Sequence, residues 1–249
     1  MLFSKVNYVN DVFKLNIMKL AALFSGGKDS TYSIYKAKHD GNQIKCLITV
    51  RPTSDESMLL HFPNIEFTKL QSKSMKTPQL YIESRSNKIE FEINLLEKIL
   101  EKAKTVYNVE GLVHGGILSE FQKKIFSKVC SKLNLKLISP LWMKAQTQYM
   151  RDLINSNFRF IITSVSSEGL DDAWLGKEFT ENNLEILIQL SKKYGFNVNF
   201  EGGEAETMVI DCPLFSHPIQ VLKSRKFWDG YRGRVEILDA KLDHSARKS

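Results

Sequence analysis

The chain has 249 residues, 43% of them hydrophobic and 25% charged, with 35 basic and 28 acidic side chains and a net charge of +7. That is the composition of a folding, globular chain, and its basic excess permits an acidic partner without demanding one. Three cysteines without a CxxC pair or a Cys/His cluster leave no room for a zinc finger or a disulfide scaffold, and no apolar run approaches the ~20 residues of a membrane span. Cys46, Cys130 and Cys212 sit in apolar surroundings and read as small core residues of a cytoplasmic protein.

Residues 1–17 have scattered apolar positions, no clean period and no signal-peptide features, and read as an upstream extension before Met18. Leu20-Ala21-Ala22-Leu23-Phe24 predicts a strand buried on both faces. The run stops at Ser25-Gly26-Gly27-Lys28-Asp29-Ser30, and a helical pattern starts at Asp29. A strand therefore turns into a helix start through two glycines, which permit positive φ and a close approach of a bound group. The unpaired N–H groups of a helix start favour an anion. Lys28 adds a mobile charge, and Ser25 and Ser30 add hydroxyls. The stretch is a phosphate cradle, but its spacing is not that of a Walker A loop.

Ile44 to Val50 predicts a second buried strand, followed by a loop or short helix that includes His61 and reaches Asn64. A helix over 65–75, a strand over 80–82 and an amphipathic helix over 89–104 follow. Gly111-Leu112-Val113 predicts a strand closed by His114-Gly115-Gly116, and Ser119 caps a helix whose apolar face holds Phe121, Ile125, Phe126, Val129 and Leu133. A fifth strand covers 135–138. Strands alternating with helices predict a parallel, doubly wound α/β sheet over 18–139. Ligands of such sheets bind beyond the C-terminal strand ends, where the SGGKDS and HGG stretches fall. Residues 140–249 predict a smaller α+β domain. Its helices cover 146–156 and 184–194, the second ended by Gly195. Its strands cover 158–165, 197–200, 207–210, 219–227 and 235–238, with a hairpin turn at 229–233.

Glu201-Gly202-Gly203-Glu204-Ala205-Glu206-Thr207 sets three carboxylates around two glycines. Glycine lets the backbone bend so that the carboxylates converge, raise one another's pKa and hold a magnesium ion. The alternative is a tight acidic turn exposed to water. Lys223, Arg225, Lys226, Arg232 and Arg234, with Trp228 and Tyr231, form a basic-aromatic stretch that either grips a partner or protects an edge strand.

SGGKDS resembles the pyrophosphate loop of the N-type ATP pyrophosphatases, whose PP-loop domains have a HUP-like fold. The chain also carries HFPN at His61 to Asn64, GGILSEFQ at Gly115 to Gln122, PLW at Pro140 to Trp142, GLDDAWLGKE at Gly169 to Glu178 and EGGEAETMVIDCPLF at Glu201 to Phe215. With these it resembles the diphthine–ammonia ligase family from residue 18 to about residue 240. Many members have Tyr-His-Thr where this chain has Ala205-Glu206-Thr207, so no role of that histidine carries over. The resemblance implies a ligase that amidates diphthine on translation elongation factor 2 with ammonium, splitting ATP to AMP and pyrophosphate through an acyl-adenylate.

The resemblance also implies a set of site residues. Ser25, Gly26, Gly27, Lys28, Asp29, Ser30, Gly115 and Gly116 bind ATP. Lys28, Asp29, Glu201 and Glu204 are the candidate catalytic residues. His61, Asn64, Gln122, Glu201, Gly202, Gly203, Glu204, Glu206 and Thr207 are the candidate substrate contacts. Asp29, or one of the EGGE carboxylates, is the candidate Mg2+ ligand, and Glu201 and Glu204 otherwise orient substrate or ammonia. Neither a membrane nor DNA is expected as a partner, and a homodimer is left open. Two competing readings are a tRNA-modifying PP-loop enzyme of the thiolation or lysidine type, and a non-catalytic ATP-binding protein. Thiolation needs a cysteine at the ATP face.

Overall fold

The computed structural model describes residues 17–52, 64–86 and 88–246. Five parallel strands form the first sheet: β1 (Lys19–Leu23), β2 (Gln43–Arg51), β3 (Gln79–Glu83), β4 (Gly111–Val113) and β5 (Lys136–Ile138), in the order β3-β2-β1-β4-β5. Helix α1 (Lys28–His39) links β1 to β2. A short 3-10 turn (Ile65–Phe67) and α2 (Thr68–Ser74) precede β3, α3 (Ile89–Tyr107) leads to β4, and α4 (Glu120–Lys132) leads to β5.

The alternation of side chains along a strand explains why these strands are apolar throughout. Leu20, Ala22 and Phe24 enter one core with Tyr32 and Ile34 of α1, while Ala21 enters a second core with α3 and α4. In β2, Leu47 joins the first core, and Cys46, Ile48 and Val50 join the second. Helices thus cover both faces, as the α/β pattern predicts. The chain leaves β1 towards β2 on one side and returns through α3 to β4 on the other. The crevice between the ends of β1 and β4 is the topological switch point, where such sheets bind ligands.

The second sheet is antiparallel, in the order β7-β6-β9-β8, and consists of β6 (Arg159–Val165), β7 (Ala205–Asp211), β8 (Ile219–Trp228) and β9 (Gly233–Leu242). Before it comes α5 (Gln146–Asn155), and between β6 and β7 come a 3-10 turn (Asp172–Trp174) and α6 (Glu181–Tyr194). The core under α1 runs on through Tyr149 of α5 to Phe160 of β6 and Val209 of β7, so the two sheets share one apolar interior. Each large side chain buried there contributes about 1.5–3 kcal/mol.

Local signals act as expected at several ends. Ser119 Oγ accepts the Gln122 N–H at 3.3 Å, Gly195 ends α6 at φ 80°, and Asp229 Oδ1 accepts the Tyr231 and Arg232 N–H groups in the β8–β9 turn. Two readings need correction. Residues 197–200 form a turn, not a strand: Val198 and Phe200 are buried as strand residues would be, but Phe200 stands at φ 62° and Asn197 C=O accepts its N–H. Phe121 is 45% exposed rather than part of the buried face of α4. No helix among the described residues is long and apolar enough to cross a membrane.

Candidate active site

The Ser25–Gly27 turn joins β1 to α1 and is held from three directions. Gly26 sits at φ 80°, where glycine costs little, and its C=O accepts Gln71 Nε2–H at 2.8 Å and Val209 N–H at 3.0 Å. Gly27 is the N-cap of α1 and offers no side-chain cap. The Lys28 N–H donates to Thr207 Oγ1 at 3.1 Å, and Ser25 and Ser30 hydroxyls lie 3.2 Å apart. The early N–H groups of a helix lack intrahelical partners and carry partial positive charge. Here that end opens on a cavity of about 340 Å³ lined by Ser25, Gly27, Asp29 and Ser30.

Lys28 departs from the expected mobile charge. Its side chain is 2% exposed, its ammonium lies 3.0 and 2.9 Å from the Asp29 carboxylate oxygens, and it stands 5.4 Å over the Phe200 ring. Asp29 Oδ1 also accepts the Tyr149 hydroxyl at 2.7 Å. Tyr149 is fully buried. Burial first, then the Asp29 charge, holds its phenol pKa well above the usual value, so it remains a donor. Asp29 is therefore fixed by a cation from its own helix and a hydroxyl from α5.

The HGG stretch after β4 forms the opposite wall. A Cβ on Gly115 would stand 2.6 Å from the Asp29 carbonyl carbon and 2.7 Å from Ser30 N, so the loop rests directly on the start of α1. His114 Nδ1 accepts the Gly116 N–H at 3.1 Å, which places the ring proton on Nε2, 2.7 Å from Ser139 Oγ. Burial, then the Lys123 charge, lowers the His114 pKa to about 4. Between that value and the unfolded value near 6.5, the unfolded chain binds the extra proton, so stability rises with pH there. Acidification from pH 6.5 to 4 should cost on the order of 3 kcal/mol through this ring. His114→Gln should flatten that part of a pH series of denaturant melts.

The three carboxylates of the EGGE stretch do not converge, contrary to expectation. Glu201 Oε1 accepts Ile117 and Leu118 N–H groups at 2.9 and 2.7 Å, clamping the second sheet's turn to the loop after β4. Glu204 accepts Asn197 N–H and Nδ2–H at Oε1 and Gly202 N–H at Oε2, so its carboxylate shapes its own turn and does not line the cavity. Glu206 and Thr207 of β7 do line it, as do Glu201, Gly203, Gly115, Gly116 and Gln122. Among the described residues no three His, Cys, Asp or Glu side chains gather as a metal-binding group.

Asn64 is placed elsewhere: its Nδ2–H donates to Val235 C=O and its Oδ1 accepts Ile237 N–H, both at 2.9 Å, so its amide pairs with the backbone of β9 and does not line the cavity. His61 lies outside the described residues. Sequence reasoning did not find Tyr149 or Gln71, which carry no local signal. In the sequence His114 marks only the end of a strand.

Fold and site together define a doubly wound α/β protein with a cavity at the switch point, walled in part by a second, antiparallel sheet. Residues 18–137 match the family described as Diphthamide synthase N-terminal domain, and residues 145–242 match Diphthamide synthase C-terminal domain. The Homo sapiens diphthine–ammonia ligase is 37% identical over 228 residues, spanning 82% of this chain and 83% of the human protein. The Mus musculus enzyme is 35% identical over 226 residues, with coverage of 82% and 83%. A solved predicted subunit of a tRNA methyltransferase from Methanocaldococcus jannaschii aligns with 78% of this chain and 99% of its own, at 18% identity and a TM-score of 0.40, too loose a likeness to bear on function. The chain belongs to the diphthamide synthase family, and is a ligase that forms a C–N bond.

Proposed function

We propose that this ligase amidates diphthine on translation elongation factor 2, using ammonium and cleaving ATP to AMP and pyrophosphate. The observation that carries the reading is the meeting of the Ser25–Ser30 cradle and the Glu201–Thr207 turn on one cavity. One supplies anion-binding groups, and the other brings the second sheet to the same space. In the first step a carboxylate oxygen of diphthine attacks the α-phosphorus, the bond to the β-phosphate breaks and pyrophosphate leaves. In the second step ammonia attacks the acyl carbon of the adenylate, the C–O bond to AMP breaks, and the nitrogen loses its proton to solvent. AMP is a far better leaving group than the oxide of a free carboxylate.

In this reading the start of α1 and the Ser25 and Ser30 hydroxyls hold the pyrophosphate portion, where fixed dipoles need no reorganisation. Asp29, 32% exposed, keeps a lone pair on Oδ2 beyond its bond to Lys28. That fits Mg2+ carried in on phosphates, which takes one or two carboxylates rather than a protein cage and supplies charge neutralisation. Glu201 and Glu204 act as positioning residues. Gln122 and Glu206 line the cavity wall and face the substrate.

The thiolation alternative lacks its sulfur carrier. All three cysteines are buried and none lines the cavity, and burial pushes the Cys46 and Cys130 thiols up to about 12. The deciding assay incubates the protein with ATP, ammonium and diphthine-bearing elongation factor 2. AMP release with conversion of carboxylate to amide, seen by peptide mass, is the expected result. AMP release stimulated only by tRNA would instead favour a tRNA-modifying enzyme.

A further inference from the structure

The β8–β9 hairpin is left over by the reaction just described. Strand β8 is the outer strand of its sheet, and residues 223–239 carry Lys223, Arg225, Lys226, Arg232 and Arg234 against Asp229 and two acids of β9, Glu236 opposite Arg225 and Asp239 opposite Lys223, a balance that stays positive. Charges of this kind blunt an exposed sheet edge against unwanted pairing. Edge protection does not account for the aromatic residues among them. Phe227, Trp228 and Tyr231 are 36%, 38% and 54% exposed, on a surface where large apolar groups invite association. The guanidinium groups of Arg225 and Arg234 stand over Phe227, 5.8 and 4.8 Å from its ring centre. Exposed aromatic and arginine side chains of this kind are enriched at binding hot spots.

The hairpin's position ties it to the candidate site. Val165, the last residue of β6, pairs with Ala205 of β7 on one side and with Gly233 of β9 on the other. The next residue, Ser166, donates its N–H to Glu204 C=O at 2.8 Å and its hydroxyl to Gly203 C=O at 2.7 Å. The tip of the hairpin and the Glu201–Glu204 turn therefore emerge from the same end of the sheet, roughly 10 Å apart at the strand spacing. Beneath the tip lies a cavity of about 670 Å³, walled in part by Trp174, Trp228 and Tyr231, with three acids, Glu168, Asp171 and Glu178, against one base, Lys177.

Resting on the function proposed above, we infer that this hairpin and the cavity under its tip are the docking surface for the protein substrate, which meets it with an acidic loop bearing an uncharged anchor side chain. The net positive strip calls for an acidic partner. Nucleic acid carries a phosphate at every residue and would set charge against Glu168 and Asp171. A protein loop can place its carboxylates on the strip and an uncharged side chain in the cavity. Docking there brings a second segment of the same substrate to the switch-point cavity two strands away.

The test compares wild type, the triple variant K223E/R225E/R232E and Tyr231→Ala, each with an unchanged thermal melt, for binding and amidation of elongation factor 2 across a salt series. The triple variant should raise both Kd and KM about tenfold or more at low salt, leave kcat unchanged, and approach wild type as salt screens the charges. Tyr231→Ala should raise KM with the salt slope preserved. Wild-type Kd and KM in both variants, with the wild type active, would overturn the docking surface alone. Binding that follows these expectations without amidation would sustain the docking surface and sink the proposed reaction. Transfer RNA that binds wild type but not the triple variant, with elongation factor binding unaltered, would assign the strip to nucleic acid and overturn the inference.

Discussion

Asp29→Asn is expected to fold with a smaller loss of stability than Asp29→Ala and to release AMP more slowly by a factor on the order of 10²–10³, the usual loss when one preorganised charge or donor leaves a phosphate or oxyanion site. The substitution keeps one oxygen for the Tyr149 hydroxyl, 2.7 Å away, but removes the charge and replaces the second acceptor of the Lys28 ammonium with an NH2 group. Alanine is the poorer probe. It would leave the Lys28 ammonium, 2% exposed, facing Phe200 with no carboxylate, at a cost of roughly 1–3 kcal/mol for a buried group losing its partner. Partial exposure of Asp29 sets the expectation toward the lower end. A single-turnover assay of AMP formation, paired with a urea melt, separates the two effects. Full activity in Asp29→Asn would remove this carboxylate from the proposed phosphate site.

Gly115→Ala should be the most damaging of the small substitutions. Its new methyl group would meet backbone atoms, the Asp29 carbonyl carbon at 2.6 Å and Ser30 N at 2.7 Å, and backbone in a packed helix start cannot swing aside as a long side chain can. Overpacking of this kind costs about 1–3 kcal/mol, and each kcal/mol lowers the melting temperature of a chain this size by roughly 2–4 °C. The displacement also falls on the first turn of α1, so ATP affinity should drop along with stability. An unchanged melt and an unchanged ATP titration would mean that the loop after β4 does not press on the cradle. Gly41→Ala, with nothing within 4 Å of the added carbon but a φ of +87°, is the control for backbone strain without a collision.

The parts of this molecule that sequence reading recovered are those whose physics is local. β1 and β2 were legible because burial on both faces demands an unbroken apolar run. The turn after β1 was legible because a helix start with two glycines declares its own chemistry within six residues. The turn at 197–200 carries a strand's pattern because Val198 and Phe200 alternate and are buried as strand residues are. Its geometry is set instead by Asn197, whose backbone and side-chain amides hold Glu204 Oε1. The EGGE carboxylates were expected to meet because they are close in sequence. Their partners, Ile117 and Leu118 for Glu201 and Asn197 for Glu204, lie on separate segments and draw them apart. Gln71 and Tyr149 were invisible for the same reason, since each reaches the cradle only through the tertiary fold, 45 and 120 positions along the chain from its contact.

The bonds from β7 to the cradle give the molecule an unusual seam. Thr207 takes the first amide of α1, and Val209 donates to the carbonyl of Gly26. The end of the Ser25–Gly27 turn, at Lys28, is thus encoded 179 residues ahead of the threonine that helps to finish it. A nascent chain on the ribosome carries the loop's sequence long before it has the loop's walls. A fragment that ends before Thr207 lacks both of these bonds and so contains no finished turn.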